Sequence, residues 1–167
     1  MRHMHRVQAV VLAAAVIAGN VVAYGQTKTT AKPAAKPAAQ ALPQLAVYKS
    51  PTCGCCASWV QHMEKNGFTA KVTNMPDLSA VKAQNGVTQR LSSCHTTLVG
   101  GYVIEGHVPA EDVLRLLKEK PAGIVGLAAP GMPPGSPGMD VANSPSYQII
   151  AFDKTGKTSV YATHAGK

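Results

Sequence analysis

Residues 45–63, LAVYKSPTCGCCASWVQHM, hold three of the four cysteines of this 167-residue chain within four positions, between two regular patterns. The apolar run 45–48 predicts a short buried strand, and apolar side chains at helical spacing over 59–63 predict a helix that ends near Gly67. The cysteines are therefore predicted at a strand-to-helix junction. Unpaired N–H groups at a helix N-terminus favour the thiolate, which is both the nucleophile and the metal ligand of cysteine chemistry.

Strands and helices continue to alternate after the cysteine motif. Gly100-Gly101 is typical of a two-residue hairpin turn, and Pro109 suits the first turn of a helix. The predicted elements are strand 68–72, a helix from Asp77 to Asn85, strands 96–99 and 102–105, helix 110–119, and strands 147–152 and 158–161. Up to residue 121 the order is βαβαββα, which predicts an α/β protein with a thioredoxin-like fold and a C-terminal loop and β-hairpin extension. A CxxC motif at the first strand–helix turn is expected in such a fold.

The first 25 residues have the pattern of an export signal peptide. Arg2 and Arg6 precede an apolar stretch over 9–18, and small residues follow at 21–25. This stretch is shorter than the about 20 apolar residues that a membrane-spanning helix needs. We therefore expect cleavage of residues 1–25, no membrane attachment afterwards, and a periplasmic location for the mature protein.

Composition divides the rest of the chain into three parts. Residues 26–44 contain two AKPA repeats and predict a disordered Ala/Lys/Pro linker. Residues 45–121 predict the thioredoxin-like domain. Residues 122–167 predict the C-terminal extension, in which a Gly/Pro/Met loop over 122–146 precedes the hairpin.

The charge distribution excludes nucleic acid as a partner. The net charge of +8 at pH 7 reflects 16 basic and 8 acidic side chains, but five of the basic ones precede residue 45. The others form no Lys/Arg cluster, and aromatic residues make up only 5% of the chain. A nucleic-acid-binding surface requires a basic patch, usually with aromatic side chains among the basic ones.

The predicted topology brings further side chains to the cysteine motif. The third strand would run antiparallel to the first, so its N-terminal end, with Cys94, returns to the same edge of the sheet. Thioredoxins carry a cis-proline here, whereas this chain has Ser92-Ser93-Cys94-His95. The loop after the fourth strand ends at the same edge, which makes His107 a candidate ligand. Because consecutive strand side chains face opposite ways, His95 is expected to face away if Cys94 faces the site.

Four cysteines in an exported protein admit three interpretations. The first is two structural disulfides, but adjacent Cys55 and Cys56 are too close to pair, so one bridge would have to close inside the motif. The second is a thiol–disulfide oxidoreductase in which Cys53 attacks and Cys56 resolves, which leaves Cys55 and Cys94 without a function. The third is a metal site that uses all four thiolates.

Ligand type and spacing favour copper for such a metal site. Soft thiolate and thioether ligands select Cu(I), zinc or iron–sulfur clusters. The C-x-C-C spacing is tighter than the C-x2-4-C pairs of closed zinc sites and suits several bridged Cu(I) ions. Thioethers are poor zinc ligands, so Met132 and Met139 of GMPPGSPGMD favour copper over zinc. His62 lies seven residues beyond Cys55, about 10.5 Å along a helix, too far to share a metal with that thiolate.

Three segments together resemble the CopG-like CxCC family, long catalogued as a domain of unknown function: SPTCGCCASWVQHMEKNGF (50–68), SCHTTLVGGYVIEGHVPAEDVLRLL (93–117) and GLAAPGMPPGSPGMD (126–140). The resemblance covers about residues 45–161 and departs from the family at Thr88, where proline is frequent. It implies a periplasmic thioredoxin-like domain that binds copper at its cysteines, is associated with copper resistance and interconverts Cu(I) and Cu(II). The family's cysteines and metal-facing loop correspond by position to Cys53, Cys55, Cys56, Cys94, Met132 and Met139.

We therefore expect a periplasmic copper-binding protein that holds one or several Cu(I) ions and acts in copper resistance, with copper or thiol oxidoreductase activity as an open possibility. Copper ions and periplasmic copper export or redox proteins are the expected partners. A metal-independent thiol–disulfide oxidoreductase is the alternative. Cys53 and Cys56 are the predicted redox pair. The predicted metal ligands are Cys53, Cys55, Cys56, Cys94, His107, Met132 and Met139.

Overall fold

The computed structural model describes residues 41–167; the predicted signal peptide and all but the last four residues of the predicted linker lie outside the described residues. The described chain forms seven strands and three helices. In chain order they are β1 (Leu45–Lys49), α1 (Gly54–Lys65), β2 (Ala70–Asn74), α2 (Ser79–Gln84), β3 (His95–Val99), β4 (Tyr102–Glu105), α3 (Ala110–Glu119), β5 (Ile124–Ala128), β6 (Tyr147–Asp153) and β7 (Thr158–His164).

All seven strands belong to one mixed sheet in the order β2-β1-β3-β4-β5-β6-β7. The β1–β2 and β4–β5 pairs are parallel, and the other four pairs are antiparallel. This arrangement confirms the predicted α/β, thioredoxin-like fold with a C-terminal hairpin, because β6 and β7 extend the same sheet. Among the described residues, none of the helices has the length and apolarity that crossing a membrane would require.

Strand β5 lies inside the stretch 122–146, where the sequence predicted only a loop, so that prediction is wrong over Ile124–Ala128. The strand pairs parallel with β4 and antiparallel with β6. Side chains of β5 pack into the core clusters on both faces of the sheet, Leu127 into one and Ala128 into the other, so the run shows no alternation of apolar and polar residues. Gly126 at its centre weakens the strand pattern further. It is β5 that joins the hairpin to the rest of the sheet.

The other differences from the predicted elements are small shifts at their ends. Strand β2 begins two residues late, because Phe68 is buried in the core ahead of the strand. Helix α2 begins at Ser79, and the Asp77 carboxylate accepts the N–H of Ser79 (2.8 Å) from outside the helix. Strand β3 includes His95, one residue more than predicted.

The hydrophobic core fixes α1 against the sheet. The α1 side chains of Trp59, Val60 and Met63 are buried against β1 residues Leu45 and Val47 and against the apolar face of α3. A smaller cluster around Phe152 covers the opposite face of the sheet. Because its apolar stripe is anchored in this way, α1 presents its N-terminus, with the cysteine motif, at a defined position beyond the end of β1.

The position of β5 gives a prediction for its central glycine. A Cβ at Gly126 would overlap the Val103 carbonyl oxygen and lie 2.5 Å from Cζ of Phe152. Gly126→Ala should therefore lower the free energy of unfolding by about 1–3 kcal/mol, the usual cost of overpacking. Urea unfolding of the reduced, metal-free protein measures it. Gly54→Ala is the control, since a Cβ there meets nothing within 4 Å; equal stabilities of the two variants would contradict the close packing around β5.

Candidate metal centre

The cysteine motif forms the N-terminus of α1. Cys53 is the N-cap residue, with extended backbone angles (φ −77°, ψ 96°), and its Sγ accepts the N–H of Cys56 at 3.3 Å. The first turn of the helix contains no acidic side chain. Free N–H groups and the positive end of the helix dipole therefore act on these sulfurs without a competing carboxylate, which favours their anionic form.

Cys53 and Cys56 form a disulfide, with their Cα atoms 5.4 Å apart, while Cys55 and Cys94 are free thiols. The two bonded cysteines are the pair predicted for CxxC redox chemistry. The Cys55 Sγ lies 3.4 Å from the Cys53 Sγ. Cys55 is thus close enough to exchange with the disulfide or to share a metal ion with Cys53.

The fold brings Cys94 to the motif, as the topology predicted. Cys94 immediately precedes β3, which pairs antiparallel with β1 so that His95 lies opposite Lys49 at the end of β1. The ligand sulfurs of all four cysteines lie within 4.8 Å of one another. Two segments that are 38 residues apart in sequence at their nearest cysteines thereby form one four-sulfur cluster.

His107 lies at the edge of this cluster. Its Nε2 is 2.9 Å from the Cys94 Sγ, and its Nδ1 is 2.7 Å from the carbonyl oxygen of Pro137. A carbonyl can only accept, so Nδ1 carries the proton and Nε2 presents its lone pair toward the sulfurs. Burial lowers the pKa of His107, although the hydrogen bond to Pro137 partly opposes this effect. The imidazole is therefore neutral near pH 7 and in a ligand-competent tautomer.

His95 faces the site, contrary to the sequence prediction. Its Nδ1 is 3.3 Å from the Cys94 Sγ, and the ligand atoms of Cys94, His95 and His107 lie within 4.8 Å of one another. The alternation rule fails because Cys94 lies outside β3, which begins at His95. The His95 ring is fully buried and packs on Trp59, whose centroid is 4.5 Å away. Burial lowers the pKa of His95 well below its ordinary value.

The electrostatic state of Cys94 is set by its surroundings. Burial, followed by the charge interaction with Cys55, raises the pKa of Cys94 to about 12. The metal-free thiol is therefore protonated at neutral pH. Because a thiolate is the binding form, a metal ion would have to displace this proton. The positive charge of the ion would then neutralise the thiolate charge that the buried site disfavours.

The Gly/Pro/Met loop lies against the start of α1. At Gly138 (φ +82°) a Cβ would be 2.6 Å from the Cys55 carbonyl oxygen and 2.9 Å from the backbone nitrogen of Trp59. Only glycine therefore allows this close approach. Met139, the next residue, is half-buried, whereas Met132 is 38% exposed. The loop therefore closes one side of the cluster, and the ligand roles of the two methionines stay predictions.

A buried ion pair that the sequence did not predict lies beside the cluster. The Glu105 carboxylate, at the end of β4, has no solvent exposure and pairs with Lys82 of α2. Nothing in the pattern of the chain singles out these residues, since a charged residue at a strand end is ordinarily exposed. That Lys82 is the partner of this carboxylate becomes evident only when α2 is packed against the sheet.

Comparisons with known proteins identify the family of this chain. A family model described as "Protein of unknown function, DUF411" matches residues 91–139, the segment from Leu91 through Met139. No curated protein sequence matches the chain. A solved structure described as "Copper resistance protein copG- Form 2" is 41% identical, covering 74% of this chain and 98% of its own, with a TM-score of 0.69. A second, described as "Copper resistance protein copG- Form 1", is 42% identical over 74% of this chain and 99% of its own, also with a TM-score of 0.69. At this identity and coverage, the chain belongs to the CopG family.

Proposed function

We propose that this protein binds Cu(I) through Cys53, Cys55, Cys56 and Cys94 and acts in copper resistance. The observation that carries the proposal is the convergence of four sulfurs within 4.8 Å of one another. Its related structures are described as copper resistance proteins, which supports a copper-related role for this chain. The predicted export signal would deliver it to the periplasm, where copper export or redox proteins are the partners we propose.

The donor set supports copper rather than a hard cation. Three thiolates at a helix N-terminus and the Cys94 thiolate beside them are soft ligands, and the same site offers imidazole nitrogens from His95 and His107. Sulfurs as close as those of Cys53 and Cys55, 3.4 Å apart, can bridge neighbouring ions. We propose a site for more than one Cu(I) ion, with Met132 and Met139 of the covering loop as additional thioether ligands.

The two redox states of the motif would differ in their capacity for copper. With the Cys53–Cys56 disulfide formed, only two thiols remain free; with it reduced, four are available. A disulfide accepts two electrons, so its reduction by cuprous ion consumes two Cu(I) and two protons and yields two Cu(II) and two thiols. The reverse reaction would oxidise the pair with two Cu(II). The sulfurs of Cys53 and Cys56 can thus either bind copper or form the disulfide, but not both at once.

A metal-independent thiol–disulfide oxidoreductase is the second candidate, favoured by the disulfide at the helix N-terminus. The position of Cys55, 3.4 Å from Cys53, argues against it. A free thiol at this distance would exchange with the disulfide and scramble mixed disulfides with a substrate.

Cys55 provides a direct test of the metal site. It is free in the disulfide form and lies within the four-sulfur cluster. Cys55→Ser should lower the Cu(I) bound per chain in reduced protein, because serine cannot replace a soft ligand. Metal analysis after anaerobic titration measures this. The control is Ser58→Ala, one turn along the same helix at an exposed position; unchanged copper content in Cys55→Ser would count against the metal assignment.

The redox state of the motif provides a second prediction. Protein with the disulfide formed should show two free thiols by colorimetric counting and four after reduction. The oxidised form should bind at most half as much Cu(I) as the reduced form, because half of its thiolates are lost. Equal Cu(I) uptake by the two forms, with the disulfide still intact by thiol counting after the titration, would exclude Cys53 and Cys56 from the ligand set. Insulin reduction without any Cu(I) uptake would favour the oxidoreductase.

The histidines allow a matched comparison. His107→Ala should weaken Cu(I) binding by at least about tenfold, the loss that removal of a group supporting a metal ligand already causes. His62→Ala should leave affinity within about twofold, because the His62 Nε2 instead accepts the N–H of Ala110 at 3.1 Å. Competition with a chromophoric Cu(I) chelator measures both. Equal affinities of the His107 variant and the wild type would remove His107 from the site.

A further inference from the structure

The Glu105 carboxylate is held by Lys82 of α2 and by the segment that carries Cys94. It has no solvent exposure, and one oxygen accepts both from Lys82 Nζ and from the backbone N–H of Ser93 at 2.7 Å. The other oxygen accepts the hydroxyl of Thr96 at 2.7 Å. Every contact of this carboxylate is thus made within two residues of Cys94 or with Lys82.

Lys82 completes the arrangement from α2. Its ammonium group donates to the carbonyl oxygen of Ser93 at 3.0 Å and to Thr96 Oγ1 at 3.3 Å, as well as to Glu105. The ion pair therefore occupies both backbone groups of Ser93, the residue directly before Cys94. Glu105 binds the N–H of Ser93 and Lys82 binds its carbonyl, so the pair fixes the two peptide groups on either side of Ser93, the second of which joins it to Cys94.

Neighbouring contacts restrict the same segment further. The Ser92 carbonyl accepts the N–H of Gly131 at 3.2 Å. Gly106 (φ +71°) packs so closely that a Cβ there would overlap the Ser93 hydroxyl and lie 2.5 Å from the Ser93 Cβ. The described residues contain no cis peptide bond, so the segment that replaces the thioredoxin cis-proline is ordered without one. The charged pair supplies the only ionic contacts that the described residues make to it.

We propose that Lys82 and Glu105 form a positioning pair that holds Cys94 opposite the CxCC sulfurs. The proposal rests on the proposed function, because it gives the pair the task of aligning the fourth thiolate for copper. A buried ion pair is an inefficient source of stability, since desolvating two charges offsets most of their attraction. Unlike an apolar pair of equal volume, the ion pair provides directed hydrogen bonds, here to the N–H and the carbonyl of Ser93.

The first test needs no metal. In protein with the Cys53–Cys56 disulfide intact, Cys55 and Cys94 are the free thiols, and iodoacetamide labelling followed by peptide mass spectrometry gives a rate for each. Glu105→Gln should raise the labelling rate of Cys94 by about tenfold or more. The variant loses the charge-assisted hydrogen bond from the Ser93 N–H, which restrains the segment that carries Cys94. The rate of Cys55 should stay within about twofold.

A double variant separates positioning from stability. Lys82→Met/Glu105→Leu removes both charges at similar volume, a replacement that is often neutral or stabilising for the fold. Positioning predicts that its Cys94 still reacts about tenfold faster than in the wild type, since the hydrogen bonds to both backbone groups of Ser93 are then lost. A wild-type Cys94 rate in this folded double variant would overturn the proposal, whether or not Glu105→Gln folds.

Asp112→Asn is the matched control. Asp112 is likewise a buried carboxylate, 4% exposed, but it binds His164 (2.6 Å) and Arg115 (3.2 Å), far along the chain from Cys94. Its variant should lose stability in urea without a selective change at Cys94. If the Cys94 labelling rate instead rises in proportion to the loss of stability in both Glu105→Gln and Asp112→Asn, Glu105 has a structural role only and the proposal fails.

Copper titration forms the second arm. Glu105→Gln should weaken Cu(I) binding by about 10–100-fold in the wild-type background, the range for groups that orient metal ligands. It should have little effect in a Cys94→Ser background, where there is no thiolate to position. Equal effects in both backgrounds would overturn the proposal. If the wild type takes up no Cu(I), the proposed function fails, and the labelling rates still decide whether the pair positions Cys94.

Discussion

The antiparallel pairing of β1 with β3 is the constraint on which the site depends. Strand β1 leads the chain toward the N-terminus of α1, and the pairing of Lys49 with His95 brings the beginning of β3 back to the same edge. Cys94 reaches the CxCC sulfurs because it directly precedes β3. A shift of this register by one residue would turn the strand's side chains to the opposite face and disperse the cluster.

The surroundings of the sulfurs differ from one side to the other. After reduction of the disulfide, the helix N-terminus would favour a thiolate at Cys53, whereas burial raises the pKa of Cys94 and lowers the pKa of both neighbouring imidazoles. Such a site is poorly suited to several free thiolates at once. Metal cations, as in the proposed function, would resolve this conflict, since each ion brings the positive charge that the buried thiolates need.

The close spacing that suits copper also permits a disulfide. Cys53 and Cys56 bond to each other across one helical turn, and the same two sulfurs lie in the four-sulfur cluster. Under the proposed function, oxidation would therefore remove two of the ligands, and ligation would protect the thiols from oxidation. The covering loop adds a third element, because the Pro137 carbonyl selects the His107 tautomer whose Nε2 faces the sulfurs.

The sequence by itself determined the order of the elements up to α3, the C-terminal hairpin and the strand-to-helix position of CxCC, because these follow from local periodicity. It also identified Cys94 and His107 as candidates, because the direction of successive strands brings them to the same edge of the sheet. Only the tertiary structure revealed β5, the inward orientation of His95 and the buried Lys82–Glu105 pair. A strand covered on both faces shows no alternation of apolar and polar residues, as in β5. His95 follows a residue that lies outside its strand. A charged pair drawn from a helix and a distant strand end leaves no periodic signal, since its energy arises only when the two elements exclude water between them.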